Sequence, residues 1–126
     1  MNALRTITGT VIEGKKRGRT LGYPTINIKL NQHIESGIYA SRVYVGTDEH
    51  IAATFIGDAK TFNENDYKLE SYILDFDKEI YGKEVTVKLY KKLRNNEKYE
   101  NVEELIKQIE KDIVDTRNYF TSPRSL

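Results

Sequence analysis

A change of hydrophobic period near residue 100 constrains this chain more than any other feature. Val85, Val87, Leu89 and Leu93 alternate with Glu84, Thr86, Lys88, Tyr90 and Lys92, the two-residue repeat of a strand with one apolar face. Beyond it, Val102, Leu105, Ile106, Ile109 and Ile113 fall at helical spacing and form one stripe fit to dock on a sheet. Asn101 stands where an N-cap belongs, with Glu104 three residues on as in a capping box. The spacing predicts a helix from about Val102 to Tyr119. Upstream, strand patterns cover Ile7–Glu13, Thr25–Leu30, Ile38–Val45, His50–Ile56 and Tyr67–Phe76, with a long polar loop at Gly57–Lys68. Six strands followed by one helix predict a mainly β fold, an antiparallel barrel capped by the helix. A parallel α/β sheet is excluded, because helices do not alternate with the strands.

Composition sets the remaining bounds. With 126 residues, 38% hydrophobic and 31% charged, the chain fits one compact domain over 1–126, its core at about 6–119 and a tail at 120–126. There is no cysteine, so neither a disulfide nor a thiolate metal site can form. No run approaches the ~18 apolar residues of a membrane span, and residues 1–6 lack a signal-peptide core. A cytoplasmic address is expected, with no membrane partner.

Net charge is only +1, but four cations, Lys15, Lys16, Arg17 and Arg19, crowd between Gly14, Gly18 and Gly22. A basic loop rich in glycine reads as a cradle for phosphate oxygens. It reads equally as a solvated hairpin tip or an RNA contact. Because the charge is local, a small anionic ligand is favoured over a nucleic acid. Neither of the common nucleotide-binding glycine motifs is present. Tyr23-Pro24 ends the loop, and in the strand after it Thr25 and Asn27 share one face while Ile26 and Ile28 take the other.

Gly14 to Asn27, ending Leu21-Gly22-Tyr23-Pro24-Thr25-Ile26-Asn27, resembles the signature of the riboflavin kinases. Gly37-Ile38-Tyr39-Ala40, Leu69-Glu70, Leu74-Asp75-Phe76, Ile80-Tyr81-Gly82-Lys83 and Leu93-Arg94 followed by Glu97-Lys98-Tyr99 are similar to further landmarks of that family. The resemblance runs over about residues 6–118. It implies a six-stranded Greek-key barrel and transfer of the γ-phosphoryl of ATP to the 5′-hydroxyl of riboflavin, giving FMN. It also implies that Thr25 and Asn27 hold magnesium, and that Glu70 is the catalytic base. Gly14, Lys15, Lys16, Gly18, Arg19, Gly22, Tyr23, Pro24, Thr25, Asn27, Phe76, Tyr81 and Gly82 would meet the nucleotide, and Arg94, Glu97, Lys98 and Tyr99 the flavin.

Glu70 shares parity with Tyr72, Leu74 and Phe76, which would put a carboxylate on an apolar face. Leu69 and Ile73 define the inner face equally well, and then Glu70 is a surface carboxylate beside Lys68 or Lys83. The chain departs from the family at Phe55 and Lys60, where the resemblance calls for asparagine and proline. Many bacterial relatives also carry an N-terminal adenylyltransferase domain. Nothing before Leu4 could supply one, so this chain alone is expected to stop at FMN, whether it is a single-domain protein or half of a longer one, with an adenylyltransferase domain or protein elsewhere as the partner. Two other classes compete: a flavin- or nucleotide-binding regulatory module that has lost turnover, and a small RNA-binding barrel. The first predicts loss of Thr25, Asn27 or Glu70, and all three are present. The second predicts stacking aromatics near the cations, and only Tyr23 is at hand.

Overall fold

The computed structural model describes residues 2–13, 22–58 and 67–121. Six antiparallel strands form one sheet: β1 (Arg5–Thr10), β2 (Ile26–Lys29), β3 (Gly37–Val45), β4 (Asp48–Asp58), β5 (Tyr67–Ile73) and β6 (Glu84–Arg94). Their order is β1-β6-β3-β4-β5-β2. The two ends of the sheet meet where Ile12 donates its N–H to the Asn27 carbonyl at 2.8 Å. The result is a nearly closed barrel with one C-terminal helix, α1 (Val102–Thr121).

Alternation decides what fills the barrel. Ile7, Ile28, Val43, Ala52, Ile56, Leu69, Val85, Val87 and Leu89 point inward and pack as one apolar cluster. Gly9 is needed for closure, since a Cβ there would lie 2.6 Å from Ile28 Cγ2 across the barrel. Each large aliphatic side chain buried in this way is worth roughly 1.5–3 kcal/mol relative to exposure. β3 and β6 slip register between Ile38 and Tyr39 and again between Ala40 and Ser41. Such bulges bend a strand and sharpen its twist, as a barrel of short strands requires.

The helix begins as its cap predicts, with the Glu104 N–H donated to Asn101 Oδ1 at 2.9 Å. Its buried line differs from the expected stripe. Asp112 and Thr116 are buried, Leu105, Ile109 and Ile113 are partly covered, and Val102 is 54% exposed. The stripe is rotated because Asp112 has a cation to meet on β6. β1 also ends earlier than expected, at Thr10. β5 ends at Ile73, so Leu74 and Phe76 lie in the following turn, where Asp75 takes a positive φ of 57°. None of the described helices is long and apolar enough to cross a membrane.

Candidate active site

β5 has two faces, and the structure decides between the two parities. Leu69, Ser71 and Ile73 are buried in the barrel, so Glu70 and Tyr72 point outward, beneath α1. The reading that grouped Glu70 with Leu74 and Phe76 is thereby corrected. Glu70 stands across from Asn27 of β2 on one side and Phe55 of β4 on the other. Thr25, just before β2, donates its hydroxyl to Glu70 Oε2 at 2.7 Å. Lys68 Nζ is 4.0 Å from Oε1, with the Glu70 side chain 28% exposed. That leaves the carboxylate hydrogen-bonded at Oε2, with Oε1 facing the Lys68 ammonium at the limit of ion-pair distance.

Asn27 is 4% exposed, and its Oδ1 is buried without a hydrogen-bond donor among the described residues. An acceptor stranded in this way costs roughly 1–3 kcal/mol, a cost that a bound donor or cation would relieve. Among the described residues no three His, Asp or Glu side chains cluster tightly enough to hold a metal ion. A magnesium ion would therefore rely on neutral protein oxygens and on the phosphates it accompanies, and Thr25 Oγ1 and Asn27 Oδ1 suit that role.

Two cavities open on either side of Thr25, which lines both. The first, of about 220 Å³, is bounded by Pro24, Thr25, Ser71, Phe76 and Tyr81. The second, of about 280 Å³, lies between the outer face of the sheet and α1. Glu70, Phe55, Tyr72, Arg94 and Tyr99 line it under a roof of Leu105, Ile109 and Ile113. Tyr23 belongs to this second wall, although the resemblance assigns it to the nucleotide. Its ring meets Tyr72 edge-on at 5.5 Å, and its hydroxyl donates to Glu110 Oε2 at 3.2 Å. Burial, then the Glu110 hydrogen bond and charge, push the Tyr23 phenol up.

Arg94 closes the far end of the second cavity. Its Nε and Nη2 donate to the two oxygens of Asp112, each at 2.8 Å, and Gln108 Nε2 adds a bond to Oδ1 at 2.9 Å. Burial works against the Arg94 charge, but the hydrogen bond and charge of Asp112 outweigh it and hold the guanidinium above its usual range. Tyr99 presents a buried hydroxyl with no partner among the described residues, and burial is the main cause of its raised phenol.

Glu97 reaches the second cavity, but Lys98 is exposed and lines neither. Gly82 lies in the turn after Tyr81, its N–H bonded to the Val11 carbonyl at 2.8 Å. Gly22, with φ 93°, ends the basic loop in a left-handed conformation that favours glycine. Gly14, Lys15, Lys16, Gly18 and Arg19 lie outside the described residues, as does Lys60. Sequence reasoning missed Asp112 and Tyr72. An aspartate between Ile109 and Ile113, inside an apolar stripe, was the available signal, since a charge there needs a partner.

The Flavokinase family model, described as riboflavin kinase, matches residues 2–120. The chain belongs to the riboflavin kinase family. It is 44% identical over 119 residues to a bifunctional riboflavin kinase/FMN adenylyltransferase of Listeria monocytogenes, covering 91% of this chain and 38% of that protein. The chain thus spans well under half of that relative's length. A solved structure described as a macrolide-efflux protein from Streptococcus pneumoniae superposes with a TM-score of 0.82 at 33% identity, over 90% of this chain and 38% of the other. Riboflavin kinase from Trypanosoma brucei shares the fold, with a TM-score of 0.68 at 22% identity over 94% of this chain and 81% of the other.

Proposed function

We propose that this riboflavin kinase-family chain transfers the γ-phosphoryl of ATP to the 5′-hydroxyl of riboflavin, giving FMN and ADP. The nucleotide occupies the cavity of Phe76 and Tyr81, and riboflavin the cavity beneath α1, where Tyr72 and Tyr99 offer aromatic faces to the flavin ring. One observation carries this reading: Thr25 walls both cavities and holds Glu70 at 2.7 Å. Phosphoryl transfer needs acceptor, donor and base to converge at one point.

In this reading Glu70 takes the proton of the 5′-hydroxyl. The freed oxygen bonds to the γ-phosphorus, the bond from that phosphorus to the β-phosphate oxygen breaks, and ADP leaves. The Thr25 hydroxyl fixes Oε2 and leaves Oε1 for the incoming proton. Bound magnesium supplies charge neutralisation on the phosphates, and Thr25 and Asn27 are the residues that would hold it. Arg94, clamped by Asp112, sets the far wall against which the flavin rests. FMN made here is the substrate for an adenylyltransferase, the second activity in the Listeria relative's name. A cytoplasmic address follows from the demand for ATP.

Incubation with riboflavin, ATP and magnesium, followed by chromatography, should yield FMN in step with ADP. No FMN, with both substrates shown to bind, would leave a binding module rather than an enzyme. Nucleotide titrations with and without magnesium add a second check. The parent should bind more tightly with the metal, and Asn27→Ala should lose most of that difference.

A further inference from the structure

Phe55, where the chain departs from the resemblance, lines the cavity beneath α1 and is partly exposed there. It stands directly across from Glu70 in the pairing of β4 with β5. Its ring leans along β4 toward Gly57. A Cβ built on Gly57 would lie 2.9 Å from Phe55 Cζ and 3.4 Å from Cε1, so the ring fills the space that a side chain at 57 would need. The same Cβ would lie 2.9 Å from Asn96 Nδ2, and that amide donates to the Ile56 carbonyl at 3.2 Å. Glycine at 57 thus lets the ring lie down on the sheet, with the tethered Asn96 amide beside it.

Sheet order fixes what the ring lies under. The cavity runs across the outer face from Thr25, over Glu70 on β5 and Phe55 on β4, to Ile38 on β3 and Arg94 on β6. Phe55 is therefore the first large side chain met on the way from the carboxylate to Arg94. Tyr23 and Tyr72 meet one another edge-on at 5.5 Å, whereas Phe55 meets no other ring among the described residues. Opposite it, Leu105, Ile109 and Ile113 form an apolar roof. Floor and roof bound a slot in which a flat aromatic body buries both faces, and contact of ring with ring adds to what buried area alone supplies.

Resting on the placement of riboflavin in this cavity, we propose that Phe55 is a specificity residue for the phosphoryl acceptor, the surface on which the fused rings of the flavin lie. An acceptor whose hydroxyl reaches Glu70 while its rings extend toward Arg94 has to lay them over this side chain. An acceptor without fused rings leaves the ring of Phe55 uncovered.

Lumiflavin separates ring from chain in the test, since it carries the isoalloxazine with a methyl group where riboflavin has its ribityl chain. Affinities for riboflavin, lumiflavin and ADP with magnesium, together with kcat and KM for FMN formation, are measured on the parent, Phe55→Tyr, Phe55→Leu and Phe55→Asn. Melting curves show that each variant is folded. Phe55→Asn should weaken riboflavin and lumiflavin by the same factor, about tenfold, and raise the riboflavin KM to match. Its kcat and its ADP affinity should stay close to the parent's. Phe55→Leu keeps apolar bulk without a ring and should fall between, while Phe55→Tyr should match the parent. A role in packing alone would lower the melting point and weaken ADP along with the flavins. That result overturns the assignment, as does lumiflavin affinity shared by all four proteins, or a parent that binds riboflavin but not lumiflavin. Absence of FMN despite binding of both substrates overturns the proposed activity instead, and the lumiflavin affinities still decide the role of Phe55.

Discussion

On the inner face of β5, Leu69, Ser71 and Ile73 are buried inside the barrel, with Leu69 and Ile73 in its apolar cluster. On the outer face, Glu70 and Tyr72 are partly exposed and meet Thr25, Asn27, Phe55 and Tyr23. The two faces share one backbone, so neither can be re-aimed without disturbing the other. The inner residues make the strand rigid, and that rigidity holds a carboxylate at a set distance from a hydroxyl belonging to a different segment. The outer residues contribute little to packing and are free to serve chemistry. The contrast predicts that substitutions on the two faces fail in different ways.

Glu70→Gln should break the outer face alone. kcat should fall about 10²- to 10⁴-fold, while the denaturation midpoint stays close to the parent's, because glutamine still accepts from Thr25. Turnover within a few-fold of the parent would remove Glu70 as the base. Leu69→Ala, one residue away, should do the reverse. Its side chain is fully buried, so unfolding in denaturant should show a loss of about 2–5 kcal/mol, with kcat of the folded protein preserved. A large fall in kcat without a loss of stability would show that the faces are not separable.

Asp112→Ala carries the contrast across to the helix. It strips a partly exposed guanidinium of its paired acceptor, and a loss of about 2 kcal/mol is expected. Riboflavin affinity should drop while nucleotide affinity holds, as read by separate titrations. Equal losses for both ligands would mean that Arg94 supports the whole barrel rather than one wall. The smallest effect is expected for Asn101→Ala, which removes the helix cap at a cost of about 1 kcal/mol and should leave kcat unchanged. If kcat falls with it, the helix acts in turnover as well as in roofing the cavity.

The sequence disclosed the barrel because its strands alternate and its helix does not, and the N-cap at Asn101 marked the boundary. It placed Thr25 and Glu70 in one site only through the resemblance, and the hydrogen bond between them went unforeseen, since they lie 45 positions apart and no local spacing reports such a contact. Parity at β5 was ambiguous for a physical reason. The apolar look of the Glu70 parity came from Leu74 and Phe76, which lie past the end of the strand at Ile73, while the outer face carries Lys68, Glu70 and Tyr72, the last two facing α1 across a cavity. The helix above that face also explains why Phe55 and Tyr72, ordinary strand residues by pattern, turn out to line a cavity. The bond between Arg94 and Asp112 is likewise long-range in origin. A charge inside an apolar stripe asks for a partner without naming it.

The pairing of Ile12 with Asn27 makes the barrel a hoop with a clasp. One lip of the clasp is the segment of Thr25 and Asn27. The other is Val11, bonded at 2.8 and 2.9 Å to the turn that carries Tyr81, Gly82 and Lys83. A nucleotide bound in the proposed place would touch both lips, and at about 100 times its Kd it would add about 2.7 kcal/mol to the resistance of the fold.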